Sequence, residues 1–191
     1  MLLPLSQSFL SVLTLINLSL SQKECLPATE IYHQLKPSVV KLEVKTPSMS
    51  GHGTGLVVSD RGDILTSTHV IEDTVSIVAV DTDGAQYPYQ VSKRGHEMSI
   101  SSVKPVGAFP KTFTPVGNPT LIPGEMVYVA GYPLDYDNLF SAGYYMGQRV
   151  DNGRSYLMTT TLLNPGYSGA PAVDCTGEVI GFVYGADLRM V

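Results

Sequence analysis

The sequence predicts an all-β protein built from two successive β modules, and three observations carry that reading. Among 191 residues there are 18 Gly, 13 Pro and 11 Tyr, a composition rich in turn and strand formers. Short stretches of alternating apolar and polar residues recur at close spacing, with no helical stretch between them. A Pro- and Gly-rich segment from Lys104 to Pro119 then separates one set of such stretches from the next. Hydrophobic residues make up 43% and charged residues 15%, which excludes disorder by composition. The net charge of −5 argues against a nucleic-acid partner, which requires cationic surface to neutralise phosphates.

The first module opens at Pro37 to Lys45, where apolar and polar residues alternate as in a half-buried strand. Gly53 to Ser59 and Asp63 to Ser67 form the next pair, joined by a turn at Asp60-Arg61-Gly62. Val75 to Val80 and Ala85 to Val91 flank Thr82-Asp83-Gly84, whose Asp-Gly step favours a tight hairpin. Strands this short and closely spaced indicate a barrel or a sandwich. After the connector, strands resume at Glu125 to Ala130, Gly143 to Val150, Ser155 to Thr161, Pro171 to Asp174 and Glu178 to Tyr184. Asp174-Cys175-Thr176-Gly177 makes a further hairpin turn.

Leu2 to Leu20 carry no charge, and Ser19-Leu20-Ser21 supplies a small-x-small pattern. This predicts a secretory signal over residues 1–21, cleaved before Gln22, and a secreted or periplasmic mature chain of residues 22–191. The other reading is an uncleaved membrane anchor. Pro4, Gln7, Asn17 and five Ser make the leader poor for spanning, and no other segment is apolar enough to cross. Cys25 and Cys175 are the two cysteines. An oxidising compartment lets them pair across a long loop; two free thiols is the alternative.

Two segments carry the chemistry. Asp63-Ile64-Leu65-Thr66-Ser67-Thr68-His69-Val70 is a strand running into a His, and Asn164-Pro165-Gly166-Tyr167-Ser168-Gly169-Ala170-Pro171 holds a Ser in a Gly-containing turn before a strand. A Ser hydroxyl becomes a nucleophile when a base takes its proton, and His titrates in the range suited to that task. Glycines flanking the Ser let the backbone turn so that its amides face a developing oxyanion.

These segments resemble the His and Ser motifs of trypsin-like serine proteases, with the greatest likeness to the HtrA-like (Deg) group. The likeness includes Gly53-Thr54-Gly55-Leu56-Val57-Val58-Ser59 and Asp174 to Gly181, and runs in order from about Pro37 to Gly185. It implies two six-stranded-type antiparallel β-barrels, the first over about 36–104 and the second over about 120–191, with the site in the cleft between them. It further implies His69 as general base, Ser168 as nucleophile, and the Gly166 and Ser168 amides as the oxyanion hole. Leu162 would lie at the base of the specificity pocket, favouring a small or medium apolar side chain. A substrate strand would pair near Phe182, Val183 and Tyr184. The resemblance requires no cofactor or metal, and its partner is a peptide or an unfolded protein.

The chain departs from the family pattern in two places. Where the family has an Asp heading the strand downstream of the His, this sequence has Ser99, 30 residues after His69. That Asp orients and stabilises the imidazolium, and loss of its charge costs roughly 10⁴ in turnover in the serine-protease template. Ser99 can accept a hydrogen bond but brings no charge, and Glu97 is the nearby substitute. Only Ala186 to Val191 follow the last matched strand, so the second barrel is incomplete or closes differently; the PDZ module common in HtrA-like proteins is absent. The activity predicted is serine endopeptidase, with a peptide-binding pseudo-protease as its rival and an esterase-like hydrolase as a third reading. His33, His52 and His96 lack ligand spacing and read as surface or loop residues. Asp135 and Asp137 read as a solvated loop, and Gly51 to Gly55 as the flexible start of a strand.

Overall fold

The computed structural model describes residues 24–95, 100–110, 114–117, 120–134 and 136–185. The leader, His96, Glu97, Ser99, Asp135 and the residues from Ala186 onward lie outside them. Six strands close into a barrel in the order β1-β2-β3-β6-β5-β4: β1 Val39–Lys45, β2 Ser50–Val57, β3 Ile64–Ser67, β4 Ser76–Val80, β5 Gln86–Lys93 and β6 Ile100–Pro105. A second, curled sheet of five strands follows in the order β11-β10-β7-β8-β9. Its members are β7 Met126–Gly131, β8 Leu139–Asp151, β9 Arg154–Thr159, β10 Pro171–Val173 and β11 Val179–Phe182. The fold is thus a double β-barrel whose second half is a half-barrel.

The turns follow the sequence chemistry. Asp81 accepts the amides of Asp83 and Ala85 at 2.9 Å each, while Gly84 takes φ 81° to close the β4–β5 hairpin. Asn152 and Gly153, both at positive φ, close β8 onto β9 as a type I′ pair should. In the β10–β11 turn the Asp174 carboxylate accepts the amides of Thr176 and Glu178.

Strand β2 decides where the two modules meet. Successive side chains on a strand face opposite ways. Gly53, Gly55 and Val57 turn into the barrel, and a Cβ on Gly55 would stand 2.5 Å from the Ile64 side chain. These glycines are close-packing positions rather than a flexible strand start. His52, Thr54 and Leu56 face the second sheet. Leu56 joins Val39, Tyr128, Ala130, Tyr132, Val173 and Val179 in a buried cluster shared by both modules.

Among the described residues an α-helix, α1 Ala28–Leu35, stands before β1, in a segment to which the strand pattern assigns no element. Its Ile31 and Leu35, one turn apart, are buried in the same shared cluster. Lys36 is still helical and the chain passes through a 3₁₀ turn over Lys36–Ser38 before Val39 becomes extended; Pro37 has no N–H with which to continue the α-helical ladder. Cys25, just ahead of α1, is joined to Cys175 across 150 residues, and Leu26 donates its amide to the Cys175 carbonyl at 2.8 Å. No helix among the described residues is long and apolar enough to cross a membrane.

Candidate active site

Strand β3 delivers His69 to a 3₁₀ turn over Thr68–Val70, and the Ser168 loop lies immediately before β10. The two segments converge on one atom. The carbonyl oxygen of Val183 accepts the Ser67 hydroxyl and the Gly169 amide, both at 2.7 Å. Ser67 precedes His69 by two residues and Gly169 follows Ser168, so this carbonyl ties both halves of the site to the end of β11. The His69 ring meets Tyr184 edge-on, with centroids 5.1 Å apart.

The loop around Ser168 can be followed peptide by peptide. Pro165 C=O accepts the Leu134 amide at 2.7 Å, Gly166 C=O the Thr54 hydroxyl at 2.8 Å, Tyr167 C=O the Ala170 amide at 2.8 Å and Ser168 C=O the Thr54 amide at 2.8 Å. Tyr167, Gly169 and Ala170 spend their N–H groups on Asn164, Val183 and Tyr167. Of the five amides from 166 to 170, those of Gly166 and Ser168 have no acceptor among the described residues. All described peptides are trans, so each of these N–H groups points away from the bonded carbonyl it shares a plane with. Gly166 sits at φ 101°, and a Cβ there would stand 2.3 Å from the Tyr132 carbonyl, so this position admits only glycine. Buried Tyr167 anchors the loop against Val129, Ala170 and Val183.

His69 is exposed, yet partial desolvation lowers its pKa, and the Glu72 carboxylate acts in the opposite direction. The β3–β6 register sets Ser67 opposite Ile100, and the buried hydroxyls of Thr68 and Ser101 meet at 2.9 Å. Ser99 and Glu97, the residues considered for the third position, lie outside the described residues.

Three of the residues expected to bind substrate are placed as follows. Leu162 is exposed, and its carbonyl accepts the Ser141 hydroxyl at 3.1 Å. Phe182 pairs with Pro171 in the sheet and packs its ring against the shared core. Val183 donates its amide to Ala170 and its carbonyl already accepts twice, so its backbone has no free groups to pair with a substrate strand. Sequence reasoning missed Thr54 and treated His52 as peripheral, although His52 Nε2 lies 3.1 Å from the Tyr132 carbonyl. Their alternation with Leu56 on β2 was the available signal.

Residues 53–182 match the family model described as Trypsin-like peptidase domain. The chain belongs to the trypsin-like peptidases. It is 30% identical over 172 residues to the serine protease HTR4 of Rattus norvegicus, covering 79% of this chain and 34% of that protein. It is also 30% identical over 144 residues to the putative serine protease HhoB of Synechocystis sp., covering 71% of this chain and 34% of that one. This trypsin-like peptidase therefore spans about a third of the length of these relatives. Among solved structures it superposes on the HtrA-type protease AlgW with tripeptide at TM-score 0.76 and 21% identity, covering 82% of this chain and 54% of that one. The serine endoprotease from Yersinia pestis gives 0.72 at 23% identity, over 84% and 58%. Within the trypsin-like peptidases the likeness is to the HtrA type.

Proposed function

We propose that this trypsin-like peptidase is a serine endopeptidase that cleaves peptide bonds through an acyl-enzyme on Ser168, with His69 as general base. The observation that carries the reading is the hydrogen-bond pattern of residues 166–170, which leaves the Gly166 and Ser168 amides without an acceptor among the described residues. Uncommitted N–H groups in a rigid loop form a preorganised site for the oxyanion of a tetrahedral intermediate. His69 takes the Ser168 proton during attack and returns it to the leaving amine. Its lowered pKa keeps the imidazole neutral, and so able to accept that proton, down to more acidic pH. Ser99 contributes no charge to the imidazolium. Among the described residues the carboxylate that acts on His69 is Glu72.

Labelling with a fluorophosphonate probe tests the proposal. The disulfide-intact chain should be labelled, with the signal lost in Ser168→Ala and reduced by orders of magnitude in His69→Ala. An unlabelled but cooperatively folded chain would refute it and leave the peptide-binding pseudo-protease standing.

A further inference from the structure

We infer that Thr54 is a positioning residue for the oxyanion-binding loop: its hydroxyl and amide hold the Ser168 turn in the shape that leaves two amides free. The inference rests on the serine-hydrolase reading above and deepens it by adding a residue 112 positions away from the loop it controls.

Thr54 is fully buried, and each of its polar groups is engaged at the junction of the modules. Its amide donates to Ser168 C=O at 2.8 Å, and its carbonyl accepts the Thr66 hydroxyl at 2.7 Å. Its own hydroxyl bridges Gly166 C=O at 2.8 Å and Tyr132 N–H at 3.0 Å. An amide can only donate and a carbonyl can only accept, so the single hydroxyl proton goes to Gly166 while an oxygen lone pair receives Tyr132. The next peptides along complete the frame. Tyr132 C=O accepts His52 Nε2, which must carry its proton there, and Leu134 N–H holds Pro165 C=O. Pro165 C=O belongs to the peptide that carries the Gly166 N–H. Thr54 thus grips the loop directly at Gly166 and Ser168, and indirectly at Pro165 through the Tyr132–Leu134 turn.

The frame is also tight. A Cβ on Gly131 would stand 2.9 Å from the Thr54 hydroxyl, and one on Gly169 would stand 2.2 Å from the Thr54 carbonyl. Valine at position 54 keeps the shape but removes both hydrogen bonds of the hydroxyl. It would leave Gly166 C=O and Tyr132 N–H buried without partners, so the peptides on either side of Gly166 should reorient to recover them.

The test separates maximal inactivation rate from affinity for the fluorophosphonate probe, whose phosphoryl oxygen occupies the oxyanion position. Thr54→Val should lower the maximal rate about 10- to 100-fold, short of the roughly 10²–10³ lost with an oxyanion donor itself. The probe concentration for half-maximal rate should change less than about threefold, and Thr54→Ser, which restores donor and acceptor, should return the rate to within about threefold of wild type. The pH at half-maximal rate should stay put, because the hydrogen bonds of Thr54 go to the loop, Tyr132 and Thr66 and not to the His69 ring. Rates are taken per folded molecule, with the folded fraction from thermal melting. Should Thr54→Val not fold, Thr54→Cys carries the same test at smaller amplitude, its thiol being a weak donor and acceptor in the same place. Rates for the folded variant within threefold of wild type, or a loss confined to affinity, would overturn the inference while leaving Ser168 chemistry intact. Absence of Ser168-dependent labelling in the wild type would overturn the hydrolase reading and this inference together.

Discussion

His69 is held between two opposing influences. Desolvation favours its neutral ring, and the Glu72 carboxylate three residues on favours the imidazolium. Removing the charge in Glu72→Gln should therefore lower the His69 pKa further. The acid limb of the labelling-rate profile should move to lower pH, since the neutral base then persists into more acidic solution. Added salt should move the wild-type limb in the same direction by screening that charge, and should leave the variant's limb nearly fixed. A shift to higher pH in Glu72→Gln would show that Glu72 does not face the base. At this scale the sequence exposes the residues whose type is their chemistry: His69 and Ser168 stand in recognisable local patterns. Thr54 escapes notice because a hydroxyl in a strand has no signature of its own. Its value comes from Gly166 and Tyr132, which only the fold brings to it.

The strands were legible and the helix was not. From Val40 onward β1 alternates buried residues with more exposed ones, so its period of two survives in the sequence. β8 begins at Leu139, four residues before the alternation suggests, because pairing with β7 through Gly131 recruits residues with no pattern of their own. α1 has eight residues and buries only Ile31 and Leu35, too little for a periodic signal and too short to persist in isolation. It is kept by what surrounds it: the shared core beneath and the Cys25–Cys175 bond at its start. A bond closing 150 residues restricts the unfolded chain strongly, so its loss should cost about 2–5 kcal/mol. The Cys25→Ser/Cys175→Ser double variant should accordingly unfold at lower urea, with α1 the first element to gain amide exchange. Equal midpoints for variant and wild type would mean that the core alone retains the helix.

Two modules read along a sequence suggest two folding units, yet the packing of the whole molecule argues for one. The barrel has its own interior around Val40, Leu42, Val57, Ile64, Val103 and Tyr89. Among the described residues the second module's private cluster is smaller: Val129, Tyr167, Ala170 and Val183. Its larger set, Tyr128, Ala130, Tyr132, Val173 and Val179, packs in the cluster that also contains Val39 and Leu56 of the barrel and Ile31 and Leu35 of α1. A five-stranded open sheet that buries its face against another module cannot keep that face dry once the module unfolds. The site itself is assembled across the same junction, from Thr54 and His69 on one side and the Ser168 loop and Val183 on the other. Barrel and half-barrel should therefore melt in a single transition, and Ser168 labelling should vanish at the same temperature. Leu42→Ala, a cavity deep in the barrel and remote from the second sheet, should lower that one transition by the equivalent of about 2–5 kcal/mol. It should bring the loss of labelling down with it. A second-sheet transition that stays at the wild-type temperature in Leu42→Ala would refute the argument, since the small cluster of Val129, Tyr167, Ala170 and Val183 would then have to hold the half-barrel alone.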